Sequence, residues 1–192
     1  MFASLIIPCI VAGVAVFVFS AVIWMVVRWH DKDIQQIFDE QSFIDAMKVQ
    51  GLSPGLYMWP HCGGERDAHK CPEFRERWSK GPWGTVNILK TQPNFARNLI
   101  GTLLINLAVA FGVGMSVAMV LSGVQMGSGV LITCSMCQVF VPVFILGMLI
   151  YCLGGVCNDL FLGKPTRFIG TTFLDGLIFA GVQALVLWAM WP

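Results

Sequence analysis

The chain has 192 residues, of which 56% are hydrophobic and 12% are charged. Charged residues make up roughly a quarter of a soluble globular protein, so this composition indicates a membrane protein that is embedded in a lipid bilayer. Its net charge of +1 gives no support to nucleic-acid binding.

Four apolar runs of spanning length predict an all-α membrane protein with four transmembrane helices. About 20 apolar residues are enough to cross the hydrocarbon core of a bilayer as a helix. The first run covers about 5 to 27 and the others about 99–121, 130–153 and 173–191. The predicted organisation is therefore a first helix within 1–27, an insert over 28–97 and three further helices within 98–192.

The distribution of cations predicts the orientation of these helices. Every Lys and Arg lies between Arg28 and Arg97 or at Lys164 and Arg167. Because cationic loops remain on the cytoplasmic side, the insert is predicted to be cytoplasmic and both termini to lie outside the cytoplasm. The uncharged stretch over 122–128 is predicted to form a short turn on the outer side.

The insert is predicted to be a small α+β unit. Ser42 and Asp45 have the spacing of a capping box, which predicts that Ser42 caps a short helix. A proline at the first turn of a helix favours a second helix beginning at Pro72. The predicted elements are helices over about 42–50 and 72–78 and strands over 56–59 and 85–89, which could pair.

Several short segments resemble one family of membrane proteins. They are Gly55-Leu56-Tyr57-Met58-Trp59-Pro60-His61-Cys62, Gly81-Pro82-Trp83-Gly84, Gly163-Lys164-Pro165, Asp175-Gly176-Leu177-Ile178 and Trp191-Pro192. In this order the chain resembles small, uncharacterised bacterial inner-membrane proteins that have a Pro-Gly-x-Tyr-x-aromatic-Pro segment, a Gly-Pro turn and an Asp-Gly-Leu-Ile last helix. The resemblance implies a bacterial cytoplasmic membrane location and no particular chemistry.

Two groups of cysteines and histidines are candidates for metal or redox chemistry. Two thiols and two imidazoles within one loop could supply a tetrahedral zinc set, although adjacent ligands rarely point at one metal. The candidate ligands are His61, Cys62, His69 and Cys71. Cys134 and Cys137 have redox spacing, but they lie inside a predicted span, where cysteine packs as a small hydrophobe. We favour a loop with reduced thiols and no cofactor.

Asp175 is the sole carboxylate inside a predicted span. An ionisable residue in such a place is a candidate for an ion or proton pathway. However, Thr172 and Asp175 also have capping-box spacing, and an acid in the first turn is favoured by the helix dipole. We favour the cap, with Arg167 as the ion partner under either interpretation.

Small and polar residues within the spans indicate helix association. Small residues at every fourth position allow helix backbones to approach closely in lipid. The predicted packing residues are Ala110, Gly114, Ala118, Gly176 and Ala180, and a parallel row consists of Ala108, Gly112 and Ser116. Asn106, Gln138 and Gln183 are expected to form hydrogen bonds between helices, and Pro142 is expected to kink the third helix.

The sequence contains no metalloprotease or phosphate-loop motif, so we expect a protein that is not an enzyme. The first hypothesis is an accessory or scaffolding membrane subunit that binds other membrane-protein subunits or itself. One alternative is a small oligomeric channel or transporter with a polar seam of Asn106, Gln138, Asp175 and Gln183. The other is a metal or thiol sensor that faces the cytosol.

Overall fold

The computed structural model of the chain describes residues 3–64, 67, 70–128 and 136–192. These residues form two compact units. The first unit comprises Met1–Gln35 and Phe95–Pro192, and the second comprises Gln36–Asn94. Residues 28–35, which the sequence analysis assigns to the insert, therefore belong to the unit that contains the apolar helices.

Within the described residues, four helices are long and apolar enough to cross a membrane, as predicted. They are Ala3–Val27, Phe95–Gly123, Met136–Phe161 and Thr166–Ala189, and we refer to them as the first to fourth membrane helices. The regular elements in chain order are α1 (Ile6–Val22), α2 (Glu40–Val49), β1 (Gly55–Trp59), α3 (Pro72–Lys80), β2 (Gly84–Ile88), α4 (Phe95–Ser128), α5 (Val141–Met148), α6 (Val156–Phe161) and α7 (Thr166–Ala189).

Several ends of the membrane helices differ from the prediction, and the third helix continues to Phe161 rather than ending near 153. α4 continues to Ser128, so the turn predicted over 122–128 is wrong. This segment contains no proline, and its Gln and Met are good helix formers. α7 begins at Thr166 rather than near 173, because threonine and arginine are compatible with a helix although they interrupt an apolar run. The predicted start of the third helix, at 130–135, lies outside the described residues.

The third membrane helix changes its pitch along its length. π-helical turns at Met136–Phe140 and Leu149–Leu153 lie on either side of α5. Pro142 lies in the first turn of α5, immediately after the first of these wide turns. A proline cannot donate a backbone hydrogen bond, and its ring collides with the carbonyl four residues earlier in a regular α-helix. Insertion of a wide turn is one of the ways in which a helix accommodates such an interruption.

Small residues allow the membrane helices to pack closely. A Cβ atom at Gly114 of α4 would lie 2.8 Å from the Cys9 sulfur of α1. One at Gly176 of α7 would lie 2.8 Å from the backbone nitrogen of Cys152 in the third membrane helix. The core formed in this way is apolar, and its fully buried members include Leu5, Cys9, Ala12, Ala110, Ala118, Val143, Ala180, Ala184 and Leu187.

The second unit contains the predicted hairpin and both predicted helices. β1 pairs antiparallel with β2, and their register places Gly55 opposite Ile88 and Trp59 opposite Gly84. The predicted cap of α2 is wrong by three residues. Asp39 is the N-cap, and its Oδ1 accepts a hydrogen bond from the backbone N–H of Ser42 at 3.0 Å. An aspartate is as good an N-cap as a serine, so the helix begins at Glu40.

Candidate functional site

The chain reverses direction immediately after the first membrane helix. The helix ends in a π-helical turn, Ile23–Val27, and Arg28 follows in the left-handed region with φ 57°. Its backbone N–H donates to the carbonyl of Ile23 at 2.9 Å, and a 3₁₀ turn then covers Trp29–Lys32. This sharp turn directs His30 back toward the helices, where the residue is only 3% exposed.

His30 lies between two carboxylates. Its Nδ1 is 2.8 Å from Oδ2 of Asp33, and its Nε2 is 2.8 Å from Oδ2 of Asp175. The imidazole also stacks on the indole of Trp24, with ring centroids 4.1 Å apart and planes inclined by 7°. The ring is thus fixed in position by two polar contacts in its plane and by an aromatic contact on its face.

Asp175 is an interior residue of α7, so the prediction that it is a helix cap is wrong. The helix begins at Thr166, more than two turns earlier, and the residue is only 5% exposed. Its Oδ1 accepts a hydrogen bond from the Trp29 indole at 3.1 Å, and its Oδ2 faces His30. A buried carboxylate needs such partners because burial without them is costly.

Asp33 binds to the first turns of α7. Its carboxylate lies 2.8 Å from Nε of Arg167 and accepts a hydrogen bond from the Thr171 hydroxyl at 2.6 Å. Arg167 also donates through Nη2 to the carbonyl of Trp29 at 3.0 Å. Arg167 therefore pairs with Asp33 and not, as predicted, with Asp175.

These contacts favour the charged form of Asp33. The hydrogen bond from Thr171 is the largest cause that holds the pKa of this carboxyl below its usual value. The neighbouring His30 and Arg167 act in the same direction, and they outweigh the opposing effect of burial.

We call this group the ionic site; its members are His30, Asp33, Arg167 and Asp175, with Trp24, Trp29 and Thr171 around them. It can hold and exchange protons, since imidazole and carboxyl groups both titrate. Its two carboxylates lie on opposite ring nitrogens of one histidine, which is not the arrangement of a shared metal ion. Among the residues that the structure describes, no group of three or more His, Cys, Asp or Glu side chains could hold a metal ion.

A cavity of about 370 Å³ adjoins the ionic site. Asp33 and Arg167 line it, together with Lys32, Gln35, Pro165 and Phe168. The side chain of Asp33 is itself fully buried, whereas that of Arg167 is about half-exposed.

The predicted zinc ligands lie in the other unit. The Nδ1 of His61 accepts a hydrogen bond from the backbone N–H of Gly63 at 3.0 Å, and the thiol of Cys71 donates to Glu73. Cys62 is partly buried. His69 and Cys134 lie outside the described residues, so the zinc set and the Cys134–Cys137 pair stay predictions.

The polar residues predicted to form a seam have separate environments. The Tyr151 hydroxyl donates to Oε1 of the fully buried Gln183 at 2.8 Å, which is a hydrogen bond between the third and fourth membrane helices. Asn106 is buried, whereas Gln138 borders an apolar cavity beside Pro142. The described contacts of Asp175 and Gln183 involve no other member of the predicted seam.

The two small-residue rows of α4 have different surroundings. Ala110 and Ala118 are fully buried, and Gly114 lies against Cys9. By contrast, a Cβ atom at Gly112 would meet no atom within 4 Å. This second row borders an apolar groove of about 440 Å³, which is lined by Ile105, Ala108, Val109, Gly112, Val113, Ser116, Leu146 and Ile150.

His30 and Asp33 were not predicted to be partners of the fourth membrane helix. His30 and Asp175 are 145 positions apart, and no local pattern connects them. A usable signal was nevertheless present. The first membrane helix ends and the fourth begins on the same predicted side of the bilayer, and each is flanked by charges of both signs.

No protein-family model, curated protein or solved structure matches this chain.

Proposed function

We propose that this protein is a non-catalytic, multi-pass membrane subunit that binds another membrane protein through the groove on α4. One observation carries the proposal. The row of Ala108, Gly112 and Ser116 has the spacing of a helix-packing surface, but no helix of the described chain covers Gly112. By contrast, Cys9 of the same chain packs against Gly114 in the other row.

The chemistry of the groove favours a transmembrane helix as its occupant. Aliphatic side chains, small residues and Ser116 line it. The hydroxyl of Ser116 already donates to the carbonyl of Gly112 at 2.7 Å, so it does not require a polar partner. In lipid, van der Waals packing against small residues is a principal source of helix association, because apolar tails offer no hydrophobic driving force.

We also propose a bacterial cytoplasmic membrane as the location, with both termini outside the cytoplasm. Two sequence features support this proposal. One is the resemblance to bacterial inner-membrane proteins, and the other is the confinement of all Lys and Arg residues to 28–97 and to Lys164 and Arg167 at the start of the fourth membrane helix.

A pair of glycine variants tests the docking groove. Gly112→Leu should fill it, so the co-purifying membrane partner should be lost from a mild-detergent preparation analysed by mass spectrometry. Gly101→Leu is the matched control, because Gly101 is also on α4 and has no neighbour within 4 Å but does not line the groove. Retention of the same partner by Gly112→Leu would contradict the proposal, and a homo-oligomer lost only in Gly112→Leu would identify a second copy as the occupant.

A proton or ion transporter is the second candidate. The observation that favours it is the ionic site, where Asp175 of the fourth membrane helix contacts His30 and not the other residues of the predicted seam. The measurement that distinguishes the two candidates is proton flux in sealed proteoliposomes. Flux that disappears in His30→Gln would favour transport over the subunit function.

A further inference from the structure

The hydrogen-bond geometry of His30 fixes the number of protons that the ionic site must hold. Both ring nitrogens lie 2.8 Å from a carboxylate oxygen. An ionised carboxylate can only accept hydrogen bonds, and a neutral imidazole has a hydrogen on one nitrogen only. Two such contacts therefore require two protons, shared among His30, Asp33 and Asp175.

The charges of the site support the same count. The groups that face His30 are Asp33 on its own turn and Asp175 on α7, and Arg167 of α7 faces Asp33. When His30 holds both protons, the two carboxylates balance the imidazolium and the Arg167 guanidinium. When a carboxyl holds the second proton, the remaining carboxylate balances Arg167. With one proton, a net negative charge would remain in a buried site, where uncompensated charge is costly.

Loss of one proton would also place two lone pairs against each other. At least one ring nitrogen would then face a carboxylate oxygen across 2.8 Å with no hydrogen between them. Asp33 would remain bound to Arg167 and Thr171, so its position does not depend on the shared proton. The contact between His30 and Asp175, together with the adjoining bond from Trp29, is the part that the proton controls.

We propose that the ionic site is a proton-binding site and that its shared proton latches the turn after the first membrane helix to the fourth membrane helix. Water or hydroxide takes up the released proton, and the proton that remains on Nδ1 keeps its hydrogen bond to Asp33. Nε2 then faces Asp175 without a hydrogen, so His30 separates from Asp175, while the Asp33–Arg167 pair holds the turn near α7. The ionic site and the docking groove share no residue, so a negative result for one does not affect the other.

The test follows the His30 ring and the Trp29 indole by NMR as the pH is raised. The chain has three histidines, so a His61→Gln/His69→Gln background leaves His30 as the one labelled imidazole. In lipid nanodiscs, the chemical shifts of the His30 ring and of the Trp29 indole should change in one common step as the pH rises. The Trp29 indole signal is identified by its absence in Trp29→Phe.

Asp175→Asn should abolish that step at the Trp29 indole. The asparagine oxygen can accept from Trp29, and its amide can donate to Nε2 of a neutral imidazole, so the latch would need no extra proton. Asp31→Asn is the control, because Asp31 lies on the same turn but pairs with Arg28 at 2.9 Å and is half-exposed. It should retain the wild-type step.

Two results would overturn the proposal. One is a wild-type protein whose His30 and Trp29 signals do not change together between mildly acidic and strongly alkaline pH. The other is a folded Asp175→Asn protein with the wild-type step at Trp29. Should Asp175→Asn fail to fold, the wild-type and Asp31→Asn titrations still decide the outcome.

Discussion

Thr171 has a small side chain with a specific electrostatic effect. Its hydroxyl has one hydrogen, and the shortest of its contacts, at 2.6 Å, is to Asp33. That bond favours the ionised carboxylate and is the largest cause of the lowered pKa of Asp33. A carboxyl whose pKa is lower in the folded state stabilises the fold above its ordinary pKa, and this contribution is lost as the pH falls through the lowered value.

Thr171→Val should make the folded protein more sensitive to acid. The substitution keeps the shape of the side chain but removes the donor, so the pKa of Asp33 rises toward its ordinary value. The stabilisation is then lost at a higher pH during acidification. Unfolding in detergent micelles, followed by circular dichroism as the pH is lowered from neutral, measures the midpoint.

The control for this prediction is Thr102→Val on α4. The Thr102 hydroxyl donates to the carbonyl of Asn98 in its own helix at 3.0 Å, and among the described residues it has no hydrogen bond to a carboxylate. Its acid midpoint should equal that of the wild type. Equal midpoints for the two variants and the wild type would show that Thr171 does not influence Asp33.

Individual residues also show where prediction from sequence stops. Asp175 could be singled out, because an acid within an apolar run is unusual in any chain. Its partners could not, since Trp29 and His30 reach it only through the left-handed Arg28 and the 3₁₀ turn that follows. A non-glycine residue with positive φ is uncommon and has no reliable sequence signature.

α4 shows how one helix uses small residues in two ways. Gly114 and Gly112 are two positions apart, so they face different directions on the helix. Gly114 lies against Cys9 of α1, whereas Gly112 faces open space in the groove. The same residue type therefore serves internal packing at one position and leaves a surface open at the other.

Gly114→Ala should destabilise the protein by about 1–3 kcal/mol, a typical cost of excess volume in a packed core. The added Cβ would lie 2.8 Å from the Cys9 sulfur, and one of the two helices would have to move. Gly112→Ala, which adds the same atom in open space, should be as stable as the wild type or slightly more so. Unfolding of both variants by increasing SDS in mixed micelles gives the comparison, and equal losses would contradict it.

Elements with clear end signals could be predicted well from the sequence. Proline or glycine marks both ends of β1 and of α3 and the start of β2, and these elements agree with the prediction within about two residues. α7 was placed too late because its first turns contain Thr166, Arg167 and Thr171. Arg167 and Thr171 bind Trp29 and Asp33, and such contacts are not visible to a search for apolar runs.

At the scale of the whole molecule, we predict the orientation of the protein in the membrane. It rests on the positions of the cations and not on the geometry of the helices. A periplasm-active reporter fused after Pro192 should be active, and the same reporter inserted at Gly64 should be inactive. The opposite pattern in both fusions would place the second unit outside the cytoplasm.

The membrane helices differ in hydrophobic length. The part of α4 beyond Arg97, Asn98–Gly123, is about 39 Å long at 1.5 Å per residue. The part of α7 beyond the buried Asp175, Gly176–Ala189, is only about 21 Å long. A hydrocarbon core of about 30 Å cannot match both lengths. Beside α4, the bilayer must therefore thicken or the helix must tilt, and beside α7 the bilayer must thin. Lipids with chains of different length would then gather at different sides of the protein.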